Sequence, residues 1–105
     1  MSKTPSFSKT EIEKSLRILR ALADLDRVKV LLQVRDGEKN VGMLAKALGI
    51  KMVNISHHLA VLRNSGVLKH RKIGRFVYYS LNPSIVVNDG ALQVQLTGAK
   101  LTIGL

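Results

Sequence analysis

Three observations predict a mainly helical fold with a small β component. Between Ser8 and Ser65 apolar residues recur at helical spacing in four stretches, each opened by a polar cap or closed by a glycine. From Val67 the period becomes that of strands, around Gly74-Arg75 and within a run rich in Lys and Arg. The tail then alternates strictly, with Leu92, Val94 and Leu96 before Thr97-Gly98-Ala99 and Leu101 and Ile103 after it. Helices followed directly by a basic two-stranded ribbon give the layout of a winged helix-turn-helix, here with a C-terminal β-hairpin added. The expected organisation is a flexible lead over residues 1–8, the winged helix-turn-helix over 9–83 and the terminal hairpin over 84–105.

Each element has a local cause. Ser8 stands three residues before Glu11, the spacing of a capping box, in which hydroxyl and carboxylate satisfy two free backbone donors. Ile12, Leu16, Leu19 and Ala23 follow at intervals of four, three and four, so a first helix is expected over roughly 9–23. Asp24 and Asp26 both offer a cap for a second helix carrying Val28, Leu31, Leu32 and Arg35, with Gly37 as its stop. Asn40 opens a short third helix with Leu44, Ala45 and Leu48 inside, and Gly49 closes it. After the turn at Ile50-Lys51 a fourth helix runs from about Met52 to Asn64, its inner stripe Ile55, His58 or Leu59, and Leu62. Strands are expected at 67–73 and 76–81, ended by Asn82-Pro83.

The charge narrows the function. The 105 residues carry 17 Lys and Arg against 7 Asp and Glu, a net charge of +10. Residues 1–38 hold 8 basic and 6 acidic side chains, residues 39–88 hold 8 basic and no acidic ones, and residues 89–105 hold one of each. The whole excess beyond +2 thus falls on the third and fourth helices and the ribbon. Such an acid-free surface suits phosphates, whose neutralisation releases counterions. The chain has no cysteine, hence no disulfide, thiolate metal site or cysteine nucleophile. No apolar run approaches a membrane span, and no signal-peptide core follows the N-terminus, so a cytoplasmic location without membrane contact is expected.

The third and fourth helices have the pattern of a DNA reader, whose second helix enters the major groove. With Ile55 and Leu59 inside, Val53, Asn54, Ser56, His57 and Ala60 face out. Asn54 suits an adenine edge, Ser56 a base or a phosphate, and His57 either partner. Lys69, Arg71, Lys72 and Arg75 flank the Gly74 turn and, with Arg63, are the expected phosphate and wing contacts. Tyr78 and Tyr79 are read as packing residues of the strand.

Residues 16–83 resemble the ArsR/SmtB family of bacterial winged-helix transcription repressors. The residues that carry this are Leu22-Ala23-Asp24 with Arg27, Leu31-Leu32, Val41, Leu44-Ala45 and Leu48-Gly49. The most specific piece is Ile55-Ser56-His57-His58-Leu59, followed by Leu62-Arg63, Gly66-Val67-Leu68 and the wing from Gly74 to Leu81. The resemblance implies a homodimer that reads an inverted repeat in double-stranded DNA and releases it when an inducer is sensed. It places Ser56 and His57 on exposed positions of the reading helix. Lys51 stands where the family usually has a small hydroxyl cap, and is expected on a phosphate; Met52 stands where a polar residue usually reads a base.

The family's sensing chemistry is not matched. Many members sense metals or arsenic through Cys pairs on the helix-turn-helix or Asp, His and Glu on a C-terminal helix, whereas this chain has no Cys and its histidines are His57, His58 and His70. His57 and His58 are neighbours about 100° apart on a helix and chelate one ion poorly. A metal-independent repressor without cofactor is therefore expected, and no residue pattern assigns an effector. No phosphate loop, acid pair or nucleophilic triad suggests an enzyme. Dimerisation is expected through Ile12, Leu16 and Leu19 of the first helix and Leu92, Val94, Leu96, Leu101 and Ile103 of the tail. Two other readings stand beside this one: a protein-interaction module on the same scaffold, and a small-molecule-responsive repressor with a site at the dimer interface.

Overall fold

The computed structural model describes residues 6–104. The first five residues of the expected flexible lead lie outside the described residues. Four helices, α1 (Lys9–Leu22), α2 (Leu25–Val34), α3 (Val41–Leu48) and α4 (Met52–Asn64), precede five strands. The strands are β1 (Leu68–Ile73), β2 (Phe76–Leu81), β3 (Val86–Asn88), β4 (Ala91–Leu96) and β5 (Ala99–Ile103). They form two separate antiparallel sheets, β1-β2 and β3-β4-β5.

The helix ends follow their caps. Ser8 and Glu11 form the full capping box of α1. Of the two candidate caps for α2, Asp24 is the one used, accepting from the Arg27 amide at 3.1 Å. Asn40 Oδ1 accepts from the Met43 amide at 2.9 Å. Gly49 ends α3 at φ 66°, a left-handed conformation that costs a side-chain-bearing residue about 1–2 kcal/mol.

The core is contributed by every layer. Ile55, Leu59 and Leu62 of α4 pack on Val30, Leu31 and Val34 of α2, Leu44 of α3, and Val67 and Leu68 at the root of the ribbon. Of the two expected inner residues, Leu59 is fully buried and His58 sits at the margin. Tyr79 and Leu81 pack against this core, as expected for Tyr79.

The tail differs from the expected hairpin by one strand. Val86–Asn88 pairs with β4 through a two-residue loop, Asp89-Gly90, with both residues at positive φ. An Asp-Gly pair between strand partners is the sequence signal of a type I′ turn, and it lay in the sequence at this point.

The tail also corrects part of the expected dimer surface. Leu92 and Val94 are 1% and 3% exposed within their own chain. Side chains so enclosed have no area left to give a partner. The sheet docks on its own helices: the Thr97 amide donates to Ser15 Oγ at 2.7 Å, and Arg35 Nη1 donates to the Gly90 carbonyl at 2.7 Å. Leu96, Leu101 and Ile103 are half-buried against the same core. By contrast Ile12, Leu16 and Leu19 stay 47%, 41% and 39% exposed along one face of α1.

Candidate nucleic-acid interface

The N-terminal half of α4 presents several side chains to the surface. Burial of Ile55 and Leu59 turns Lys51, Asn54, Ser56 and His57 to the surface, all exposed. Val53 is also exposed, while Ala60 is half-buried. Lys51 occupies the cap position without any side-chain hydrogen bond to the helix, because an ammonium has no acceptor. Its charge is therefore free for another partner.

The ribbon stands beside this end of α4. Met52, Arg75, Phe76, Val77 and Tyr79 line one cleft together with Asn40 and Val41 at the start of α3. Gly74 takes φ 61° at the first position of the two-residue loop between Ile73 and Phe76, where a side chain would be strained. That turn carries Arg75 at the tip, its guanidinium 5.8 Å from the centre of the Phe76 ring.

Strand alternation divides the other wing cations between two faces. Leu68, His70 and Lys72 share the face of Val77, Tyr79 and Leu81, which covers the core. Lys69 and Arg71 lie on the opposite face with Tyr78 and Ser80. The connector between α2 and α3 joins this sheet, since Lys39 and Tyr79 exchange both backbone hydrogen bonds at 3.1 and 2.8 Å. Glu38 is thereby brought to Arg71. Arg71 Nε and Nη2 donate to the two Glu38 carboxylate oxygens at 2.7 and 2.5 Å. Arg71 hydrogen bonding and charge hold the Glu38 carboxyl below its ordinary value, and Glu38 raises the Arg71 guanidinium in turn. No local signal announced this pair, which links positions 33 residues apart.

Of the expected contacts, Lys51, Asn54, Ser56 and His57 are exposed around the N-terminal half of α4, Arg75 lines the cleft that Met52 shares, and Lys72 is exposed on β1. Arg63 stands about 14 Å beyond Asn54 along the α4 axis. It lines a cleft with Glu13, Lys14 and Arg17 of α1.

One cluster has metal-ligand types. Single ligand atoms of Asp24, Asp26 and His58 lie within 4.8 Å of one another. A cation is already among them: Arg27 Nη1 is 3.5 Å from His58 Nδ1 and 3.9 Å from Asp24 Oδ2. The same guanidinium donates from Nε to the Ala21 carbonyl at 2.6 Å and from Nη2 to the Arg20 carbonyl at 3.3 Å. The cluster ties the end of α1 to α2 and α4 through Arg27. The guanidinium places a fixed positive charge beside two of the three members, which opposes binding of a cation there.

Comparison with known proteins agrees with this geometry. The sequence pattern of "Bacterial regulatory protein, arsR family" matches residues 24–70. The transcriptional repressor SdpR of Bacillus subtilis is 33% identical over 69 residues, covering 66% of this chain and 77% of that protein. The arsenic resistance transcriptional regulator ArsR1 of Pseudomonas putida is 42% identical over 69 residues, 65% of this chain, which spans only 54% of that longer protein. Among solved structures, the homodimeric winged helix-turn-helix DNA-binding domain of Mb0332 from Mycobacterium bovis aligns with a TM-score of 0.70 and 26% identity. That alignment covers 78% of this chain and 76% of the other. These relatives are transcriptional regulators, not enzymes, and the Mb0332 domain is a winged helix-turn-helix. The chain belongs to the arsR family of bacterial regulatory proteins.

Proposed function

We propose that this protein is a metal-independent transcriptional repressor that binds an inverted-repeat DNA operator as a homodimer. The observation that carries the reading is the single cleft joining Met52, at the start of α4, to Arg75 and Phe76 at the wing tip. One duplex can meet both: α4 in the major groove and the wing on the adjacent backbone. Asn54, Ser56 and His57 read base edges. Lys51, Lys72 and Arg75 neutralise phosphates, with Lys69 and Arg63 at the margins of the footprint. Metal independence is supported by the Arg27 guanidinium, which lies against Asp24 and His58 of the Asp24, Asp26 and His58 cluster found among the described residues.

The dimer rests on Ile12, Leu16 and Leu19, an exposed apolar stripe at helical spacing on an otherwise charged helix. Leu96, Leu101 and Ile103, half-buried against the core, keep part of their surface for the same interface. Two copies joined there carry two α4 helices, as an inverted repeat requires.

Selection of bound sequences from a random duplex pool at fixed salt tests this reading. Enrichment of a two-fold repeat with half-sites about one helical turn apart is expected. Failure to bind duplex DNA at low salt refutes it and favours a protein-interaction module. Leu16→Glu should give a monomer by light scattering, and an unchanged dimer removes α1 from the interface.

A further inference from the structure

Glu38 has no place in the reading above, yet it is the acidic side chain built into the wing. Residues 39–88 contain no carboxylate, and the acid immediately before them is delivered to β1 by backbone pairing of its neighbour Lys39 with Tyr79. The contact is not a loose surface pair. Both carboxylate oxygens accept, and Nε and Nη2 of Arg71 both donate, which is the fork geometry that a guanidinium also uses toward phosphate. A guanidinium that presents its Nε–Nη2 edge to Glu38 keeps its Nη1–Nη2 edge, but the carboxylate beside it cancels the charge that would draw a phosphate there. The Glu38 side chain is 33% exposed and Arg71 65%, so the pair sits at the protein surface, in a cleft shared with Lys69, His70 and Ser80.

We propose that Glu38 limits the affinity of the DNA interface by occupying Arg71, so that Arg71 is a silent cation in the wild-type complex. This inference rests on the DNA-binding reading and adds one assignment to it. The wing then grips the backbone through Lys72 and Arg75, while Arg71 is held in reserve. Any change that withdraws Glu38 converts the reserve into a phosphate contact. The α2–α3 connector is therefore a place where DNA affinity can be set without touching a DNA-contacting residue.

A double-mutant cycle tests this: wild type, Glu38→Gln, Arg71→Gln and the double variant, bound to one mixed-sequence duplex across a salt series. Glu38→Gln is expected to bind about three- to tenfold tighter at low salt and to steepen the salt slope by nearly one unit. Arg71→Gln alone is expected to leave affinity and slope near wild type. In the Arg71→Gln background, Glu38→Gln should do nothing. The same gain in both backgrounds means a long-range charge effect and overturns the proposal. A slope loss of nearly one unit in Arg71→Gln alone also overturns it, because Arg71 then already meets a phosphate. If Glu38→Gln folds poorly, Glu38→Ala takes its place in the cycle with the same expected outcomes. Salt-dependent binding of the wild type tests the underlying reading separately.

Discussion

The backbone amide of Thr97 donates to the hydroxyl of Ser15 at 2.7 Å, across 82 residues of sequence. With the Thr97 hydroxyl donating to the Glu11 carbonyl at 3.1 Å, it fixes the tip of the β4–β5 turn on α1. The Phe7 ring closes the same contact over Gly98, where a Cβ would lie 3.0 Å from it. Ser15→Ala leaves the Thr97 amide without this acceptor and should cost about 1 kcal/mol. In a chain of this size that is a fall of roughly 4–8 °C in Tm. Hydrogen exchange at the Thr97 amide should accelerate, and an unchanged rate would show that the contact is not kept in solution.

The tail sheet belongs to the chain's own core. Leu92→Ala should destabilise the whole protein by about 2–5 kcal/mol, as for other enclosed leucines. Urea unfolding followed by helix signal reads this directly. If only the tail loosened and the helical transition stayed put, the tail would be an independent unit.

Arg75 at the wing tip should act without regard to sequence. Arg75→Ala should weaken binding to all duplexes and lower the salt slope by nearly one unit. Ser56→Ala and His57→Ala should instead cost about 1–3 kcal/mol on the preferred operator and less on other DNA. Equal losses on both kinds of DNA would move these residues from base reading to backbone contact.

Asp24 gives the acid side of the stability curve a specific origin. The hydrogen bond from the Arg27 amide, aided by the charges of Arg27 and His58 and opposed by partial burial, holds its carboxyl below the ordinary 3.8. A depressed folded-state pKa contributes stability above 3.8 that is lost as the pH falls through the lowered value. Asp24→Asn keeps a cap without the charge. Its stability should lie below wild type at neutral pH, and the two should converge as acid is added below that range. Parallel curves would assign the acid dependence to other carboxylates.

The local architecture was legible in the sequence because its causes are local. Ser8 with Glu11, Asn40 with Met43 and the left-handed Gly49 each act within one turn of chain, and they placed three helix ends. The 3.6-residue period of Ile55, Leu59 and Leu62 determined both the buried side of α4 and, by subtraction, the exposure of Asn54, Ser56 and His57. Gly74 placed the wing turn, and the acid-free block marked the charged surface. The tertiary structure decided what covers each face. Alternation made Leu92 and Val94 apolar-facing but was silent on whether their own domain or a partner encloses them. Charge counting gave Arg71 to DNA, whereas a backbone pairing between Lys39 and Tyr79 gives it to Glu38. Contacts between distant segments depend on how the packed elements bring their ends together, and neither residue periodicity nor net charge carries that information.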